Sequence, residues 1–591
     1  MVTLVIASLA VLLAAADTYV VVLALPDMML GVGLGIDELQ RATPIVTAFL
    51  LGYVATLPLI GRLADLRGVR PVLIGCLLLF ALGCLVTASS THLAPLVIGR
   101  ALQGIGGGGL VPATLALVGR TWPAPRRGTP LGVVGAVQEA GSALGPLAGA
   151  AILAAAGWRA IFWANLALAG MLAAALAVTL RRETRPGAIR SGLLTAGAAV
   201  AAVGALSLVL LPPAALASNV TWGLAWAPLA GTTRWTSPLA VAAVVLALAA
   251  VVRWSVRGRP GRLMARVDGV GSVLLAGALS CLVVVFASAD PQSSAVSPDA
   301  AWLLVAAAVL LAGFAVRERT ARHPLLPTGA LRRRAAWGAL VTSVPVGAAL
   351  VAALVDIPFF ARTTTQQDSQ FGAALVLVRL LVAVPVGALA GGLLVRRTAP
   401  RVVAAAGMAA ASVALVLMTR WDSTTLIGAR GTGPLVLAGV GFGLAIAPVN
   451  AALLAATDIG VHGVASALVV VCRMVGMLAG LSALTAIGLR AFYRAQERIG
   501  SPFTLCPTSP DDCPAYTAAT RAALLSELHT IFAGAAVCAA VAALLAAVLL
   551  RSPPPRRPEP VVSSADVAAA PRPPGPPRSG GPAEPAAAGP E

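Results

Sequence analysis

The ten residues GRLADLRGVR, positions 61–70, join two apolar segments and hold three arginines and one aspartate. Gly61 and Gly68 flank Asp65, and glycine permits the tight turns that a very short connection between two helices requires. Each apolar neighbour has the length of about 20 residues that a helix needs to cross the hydrocarbon core of a membrane. The stretch therefore predicts a short charged loop between two membrane-spanning helices.

The rest of the 591-residue chain has the same apolar character, because 58% of its residues are hydrophobic and only 11% are charged. A soluble globular protein carries about 25% charged residues. Sixteen segments are apolar and long enough to span a membrane, which predicts an all-α polytopic membrane protein. These segments are 2–25, 43–60, 71–89, 93–118, 129–156, 160–180, 192–212, 237–252, 267–288, 300–316, 336–361, 371–395, 402–419, 433–456, 463–489 and 526–550.

The net charge of +19 reflects 42 basic residues, all of them arginine, against 23 acidic residues. Most lie in alternate loops, as in the run Arg332, Arg333 and Arg334. Because arginine-rich loops face the cytoplasm, the pattern predicts a protein of the cytoplasmic membrane with both termini on the cytoplasmic side. The charge needs no nucleic-acid partner, since no basic stripe is interleaved with aromatic residues.

Two cysteines stand apart from the five that lie within apolar segments. Cys506 and Cys513 bound the stretch CPTSPDDC in the last outer loop. An oxidising exterior favours a disulfide between them, and the alternative is a pair of free thiols. The flanking runs 463–499 and 515–551 contain no proline and would each extend about 55 Å as helices, against a hydrocarbon core of about 30 Å. They predict a helical hairpin outside the membrane near 490–525; the alternative is a frayed loop.

Six charged residues lie inside the apolar segments, where charge is costly and usually functional. Asp17 and Glu139 lie near the centres of their spans, and Arg473 lies within VVVCRMVGML. Burial raises the pKa of a carboxyl group and a nearby arginine lowers it, so a carboxylate that alternates between two such surroundings binds and releases a proton. Arginine itself keeps its proton. The remaining three are Arg100 and, nearer the outer face, Asp356 and Arg379; the alternative role for all six is structural ion pairing.

The fifth span carries a stripe of small residues, Gly141, Gly145 and Gly149, which lets another helix approach closely. Glu139 lies about 200° around the helix from Gly141 and can therefore face a cavity while the glycines pack. A weaker copy of the opening stretch, GGLLVRRTAPR at 391–401, indicates an internal repeat. It has valine in place of the aspartate.

Enzyme chemistry finds little support in the chain. There are only four histidines and no metal-ligand spacing, and the glycine run after Arg100 lacks the GK[ST] of a phosphate-binding loop. No metal and no cofactor is expected beyond a proton gradient. A membrane enzyme or scaffold that acts on lipid is the remaining alternative class, and it would need nucleophilic or metal-binding groups near the interface.

These segments together resemble the major facilitator superfamily. The opening stretch resembles its inner-loop signature through Gly61, Asp65, Arg67, Gly68 and Arg70, and it departs from that signature at Leu66 and Val69. RALQG resembles a second signature and includes Arg100. GSALGPLAG resembles the antiporter signature, carried by Gly141, Gly145, Pro146 and Gly149. DTYVVVLALP resembles the first-span signature of the drug–proton antiporter branch with fourteen helices, and it departs at Tyr19 and Val22.

The resemblance implies two six-helix bundles, at 1–180 and 336–551, joined by inserted linker helices at 181–335. The family inserts two helices; four apolar segments lie here, so 14–16 spans are expected, with re-entrant helices at 192–252 as the alternative to an additional pair. Residues 552–591 contain 13 prolines and are expected to form a disordered cytoplasmic tail.

Four stretches, DTYVVV, IVTAFLLGY, VQEAGSALGPL and GVASALVVVCRMVGML, are similar to the mycobacterial exporters of triacylglycerides and drugs, which act with a lipid-binding lipoprotein. This similarity implies proton-coupled export of lipophilic molecules, with roles for Asp17, Asp65, Glu139 and Arg473. A multidrug–proton antiporter with no lipid role is the alternative. Membrane lipid, a lipophilic substrate and an extracytoplasmic lipoprotein are the expected partners.

Overall fold

Helices make up almost all of the ordered structure. The computed structural model describes residues 2–34, 39–123, 126–181, 268–287, 299–365, 370–427, 429–506 and 513–551, apart from single positions, with scattered residues between 202 and 246. Within this part of the chain there are fourteen long helices and no strand. Twelve of them have the length and hydropathy of a membrane span, so the predicted all-α polytopic fold is confirmed.

The fourteen helices fall into a group of six, a pair and a second group of six. The first group is α1 (Val2–Gly31), α2 (Leu39–Arg67), α3 (Val69–Ala88), α4 (Leu93–Thr121), α5 (Gly128–Ala156) and α6 (Trp158–Arg181). The pair is α7 (Gly269–Ala287) and α8 (Ala300–Thr320). The second group is α9 (Arg334–Thr364), α10 (Gln370–Leu394), α11 (Pro400–Met418), α12 (Ala429–Ala456), α13 (His462–Gln496) and α14 (Pro514–Leu549).

Two further predictions concern residues outside this description. The tail at 552–591 lies there entirely, the span at 192–212 lies there for the most part, and the span at 237–252 lies there in part. The number of spans, 14 or 16, therefore stays a prediction.

Buried apolar side chains fill the interior of each group of six helices. Phe49, Phe80 and Phe162 are fully buried in the first group, and Phe360 and Phe532 are fully buried in the second. In a membrane the helices associate through close packing, because lipid removes the hydrophobic drive between them. The glycine run of α4 illustrates this: a Cβ added to Gly106 would lie 2.5 Å from the backbone nitrogen of Phe80 on α3.

The opening stretch 61–70 forms the connection between α2 and α3. Gly68 joins the two helices with φ 91°, a backbone conformation that side chains other than glycine rarely adopt. The end of the helices at which this loop, Arg120, Arg126 and the stretch 396–401 lie is called the Arg-rich end below. In the predicted topology it is the cytoplasmic end.

The last two long helices exceed the thickness of a membrane. α13 has 35 residues and α14 has 36, which corresponds to lengths of about 50 Å against a hydrocarbon core of about 30 Å. Between them, Cys506 and Cys513 form a disulfide whose Cα atoms lie 5.6 Å apart. Helical structure on both sides of a disulfide is the arrangement that the sequence predicts for the outer hairpin.

Candidate functional site

Asp17 of α1 and Arg100 of α4 form an ion pair inside the first group of helices. The Arg100 Nη1 atom lies 2.8 Å from Asp17 Oδ2, and the two side chains are 1% and 0% exposed. Asn165 of α6 donates a hydrogen bond of 2.8 Å to the other oxygen, Asp17 Oδ1. Both oxygens of this buried carboxylate therefore have a strong donor, as a buried charge requires.

The guanidinium of Arg100 is equally well surrounded. It donates to Gln103 Oε1 at 2.7 Å and to the carbonyl oxygen of Ile45 at 3.4 Å. Its Cζ atom lies 4.3 Å from the centre of the Phe49 ring, a cation–π distance. These contacts of Asp17 and Arg100 connect α1, α2, α4 and α6, as expected of a network that stabilises helix packing.

Glu139 of α5 and Arg473 of α13 form a different kind of pair. Glu139 Oε1 and Arg473 Nη1 lie 3.6 Å apart, beyond ordinary hydrogen-bond range, and the side chains are 6% and 11% exposed. Each residue lies eleven positions after the start of its helix, which places both about 16 Å from the Arg-rich end. The pair thus lies at mid-membrane depth and connects the first group of helices to the second.

The glycine stripe of α5 packs on α1 while Glu139 turns toward α13. A Cβ added to Gly141 or Gly145 would lie 2.5 Å from the carbonyl oxygen of Leu12 or Ala16, respectively. Gly149 lies against Val20. The Pro146 backbone belongs to the same helix, α5. The stripe therefore fixes α5 to its own bundle and leaves its other face to the second one.

Asp65 holds the first turn of α13. Its two carboxylate oxygens accept hydrogen bonds from the backbone N–H groups of Gly463, at 3.0 Å, and Val464, at 3.2 Å. Free N–H groups at a helix N-terminus carry partial positive charge, so a carboxylate there is stabilising. Arg120 of α4 donates to the Asp65 carbonyl oxygen at 2.8 Å and approaches its carboxylate at 3.4 Å. The carboxylate therefore connects both groups of helices at the Arg-rich end.

Close backbone contacts reinforce this connection. A Cβ added to Gly61 would lie 2.5 Å from the carbonyl oxygen of Gly463, and one added to Gly392 of α10 would lie 2.5 Å from that of Gly128 on α5. Arg127 donates to the carbonyl oxygen of Leu454 on α12 at 3.2 Å. These contacts between the two groups close the Arg-rich end.

The structure brings together four of the six predicted intramembrane charges. Of the other two, Asp356 is buried on α9, and Arg379 of α10 donates to Thr432 Oγ1 at 3.0 Å. Among the described residues these two form no ion pair. Arg67 and Arg70, which belong to the inner-loop signature, lie at the end of α2 and in the first turn of α3.

Sequence reasoning missed three of the residues that complete these sites. Arg120, which holds Asp65, looks in the sequence like any arginine of a cytoplasmic loop. Gly463 acts through its backbone, which leaves no trace in composition. Asn165 could have been found, since a polar amide in an apolar span is unusual for the same reason as a charge. No cluster of metal-ligand type occurs among the residues that the structure describes.

The chain is similar to known membrane transporters in sequence and in fold. The family model described as Major Facilitator Superfamily matches residues 7–316. The triacylglyceride transporter of Mycobacteroides abscessus is 36% identical over 500 residues, covering 82% of each chain. That of Mycobacterium tuberculosis is 36% identical over 501 residues, again covering 82% of each chain. The crystal structure of the human organic anion transporter MFSD10 matches with a TM-score of 0.53 and 14% identity, over 92% of this chain and 99% of that one, a likeness of fold alone.

Proposed function

The chain belongs to the major facilitator superfamily, and from this premise we propose that it is a proton-coupled exporter of lipophilic molecules across the cytoplasmic membrane. Its family makes it a multi-pass membrane transporter and not an enzyme. The observation that carries the proposal is the Glu139–Arg473 pair. It is titratable, it lies at mid-membrane depth, and it joins the two groups of helices.

Glu139 is the better of the two candidate proton carriers. Asp17 has strong donors on both oxygens and no exposure, so protonation would disrupt a network that is otherwise complete. Among the described residues Glu139 has one ion-pair contact, the longer one with Arg473, which is the more exposed partner. A proton on Glu139 removes the attraction and leaves the guanidinium without a counter-charge, which is costly in a partly buried site.

Helix α13 transmits this change to the Arg-rich end. Arg473 lies ten residues, or about 15 Å, from Gly463 on the same helix, and Asp65 holds that helix at Gly463. In the closed arrangement the Glu139–Arg473 pair is formed. Protonation from the outside would break the pair, free α13 and open the Arg-rich end to substrate. Release of the proton to the cytoplasm would restore the pair and close that end, so one proton moves in as substrate moves out.

The substrate class follows from the relatives, which are named triacylglyceride transporters. We propose triacylglycerides as the cargo, in keeping with the apolar composition of the chain. A lipid-binding lipoprotein on the outside remains a predicted partner that would receive such a molecule.

The test is transport in vesicles that contain the purified full-length chain and a fluorescent triacylglyceride. We expect the rate to rise with an imposed pH gradient, to fall when a protonophore dissipates it, and to lose gradient dependence in Glu139→Gln. Asp422→Asn is the matched control, because Asp422 is an exposed carboxylate bonded to threonines of its own loop. If the wild-type transport rate does not depend on the pH gradient, the proposed proton coupling is wrong. Gradient-driven movement of drugs but not of triacylglyceride overturns the lipid assignment and supports the multidrug alternative.

A further inference from the structure

An apolar groove lies between α1 and α5 below their glycine contact, toward the Arg-rich end. It has a volume of about 560 Å³ and is lined on one side by Leu4, Val5 and Leu9 and on the other by Val133 and Val137. Val5 and Leu9 are exposed on the surface of α1, so the groove opens sideways toward the membrane. Its shape and lining suit a hydrocarbon chain.

Two hydroxyl groups in this groove have no hydrogen-bond partner. The Oγ atom of Ser8 and the Oγ1 atom of Thr129 are buried and unsatisfied, and both residues line the groove. A buried hydroxyl without a partner costs free energy, which an acceptor atom of a bound molecule would recover. The groove therefore offers two donors along an otherwise apolar wall.

Two arginines lie at the mouth of the groove. Arg126 precedes α5 and Arg396 follows α10, and both line the groove and are exposed. Neither guanidinium has a carboxylate partner among the described residues, and the lining of the groove includes no acidic residue. Trp122, also in the lining, is of a type that favours the membrane interface. The charge of the mouth is thus complementary to an anion at headgroup level.

We propose that the groove binds an anionic glycerophospholipid of the adjacent leaflet, with its phosphate between Arg126 and Arg396 and an acyl chain between α1 and α5. Guanidinium groups form charge-assisted hydrogen bonds with phosphate oxygens. The ester oxygens of the lipid supply the acceptors that the hydroxyls of Ser8 and Thr129 lack. Basic pockets between membrane helices on the cytoplasmic side are a known form of headgroup site.

The site includes both halves of the transporter. Arg396 comes from the second group of helices, whereas Arg126, Ser8 and Thr129 come from the first. A Cβ added to Gly128 would lie 3.5 Å from the Cβ of Val395, so the mouth is complete only while the ends of α5 and α10 touch. A lipid bound here favours the closed Arg-rich end, since a ligand stabilises the state that binds it better.

Binding can be measured by native mass spectrometry and by thermal stabilisation of the purified full-length protein with added lipid. We expect phosphatidylglycerol to bind and phosphatidylcholine to bind more weakly. Arg126→Gln and Arg396→Gln should each weaken phosphatidylglycerol binding about fivefold. Arg397→Gln is the matched control, because Arg397 is the exposed neighbour outside the lining and should leave binding unchanged. Ser8→Ala and Thr129→Val should also weaken binding without altering the net charge.

Several outcomes would overturn the proposal. Equal losses in Arg397→Gln and Arg396→Gln would reduce the effect to general surface charge. Equal stabilisation by glycerol phosphate alone would make the site an anion site without a lipid chain. Binding of neutral triacylglyceride, unaffected by either arginine variant, would assign the groove to the cargo instead. None of these results depends on transport, so the test stands apart from that of the proposed function.

Discussion

Glu139 and Arg473 lie 3.6 Å apart on α5 and α13, and theirs is the one ion pair within the described residues that joins the two groups of helices. The Asp17–Arg100 pair lies wholly inside the first group. Both pairs join a carboxylate to an arginine. The Asp17–Arg100 pair is fully buried and has further hydrogen-bond partners, whereas the Glu139–Arg473 pair has one longer contact and joins the two groups of helices. On this difference we propose a coupling role for the second pair and a structural role for the first.

A double-mutant cycle tests the coupling pair. Glu139→Gln should lower gradient-driven transport by at least about tenfold, equivalent to about 1.4 kcal/mol, because the neutral side chain can neither form the ion pair nor release a proton. Arg473→Gln should have a comparable effect, and the double variant should be little worse than either single one, since the two residues act as a unit. Initial rates in proteoliposomes measure this. Additive losses would mean that the residues act separately.

The pair inside the first group should behave as a stability element. Asp17→Asn leaves the Arg100 charge buried without a counter-ion, at a cost of about 3–5 kcal/mol. We expect a large fall in the thermal midpoint of the purified protein and partial recovery in the double variant Asp17→Asn, Arg100→Gln. A single variant with a wild-type midpoint but no gradient dependence would transfer the coupling role to Asp17.

A methyl group at Gly463 should prevent closure of the Arg-rich end. In Gly463→Ala the added Cβ would overlap the carbonyl oxygen of Gly61 and lie 3.0 Å from both carboxylate oxygens of Asp65. We expect greater openness of that end in spin-label distance distributions. Gly460→Ala is the matched control, because a Cβ there meets nothing within 4 Å. Identical distributions for the two variants would argue against a tight backbone contact as the seal.

Loss of the Asp65 charge should expose the face of α13 at the Arg-rich end. Asp65→Asn weakens a helix cap of a kind worth about 0.5–2 kcal/mol, so the open population should rise. Ser466→Cys reports this, because Ser466 is fully buried one turn into α13. With the five free cysteines replaced, a membrane-impermeant maleimide applied to the Arg-rich side should label it faster in Asp65→Asn. Ser501→Cys, exposed beyond the other end of α13, should label at an unchanged rate from its own side.

The disulfide offers a test of orientation. Cys506 and Cys513 are joined, and the five free cysteines lie in helices. In intact cells, an impermeant reductant followed by an impermeant maleimide should add two labels to the wild-type protein and none to the Cys506→Ser, Cys513→Ser variant. Mass spectrometry counts the labels. If the two labels appear only after the cells are opened, the loop lies inside and the predicted topology is inverted.

The sequence predicted the helices well, because hydropathy is a local property of the chain. The predicted span at 129–156 and the observed helix Gly128–Ala156 differ by one residue, and the run predicted from 463 begins at His462. The six intramembrane charges were also visible, since each interrupts an apolar run. Their partners were not, because residues of both signs lie at similar depths and several pairings would balance the charge.

The contacts of Asp65 were even harder to predict from the sequence. The stretch 61–70 carries Asp65 in plain view, yet its main partners are two backbone N–H groups, one of them 398 residues away in sequence. Arg120, its cationic neighbour, is one of many arginines near a loop. A contact made by backbone atoms leaves no signature in residue type, so only the packing of α2 against α13 reveals it.

By itself, then, the sequence determined which segments of the described chain form long apolar helices, which end of them is rich in arginine, and which residues carry charge into the apolar region. These follow from composition and spacing along one helix at a time. Only the tertiary structure shows that Asp17 forms a buried ion pair with Arg100, that Glu139 forms one with Arg473 between the two groups of helices, and that Asp65 caps α13. The physical reason is that the free energy of a buried charge depends on what surrounds it in three dimensions, and helix packing brings those surroundings from distant parts of the chain.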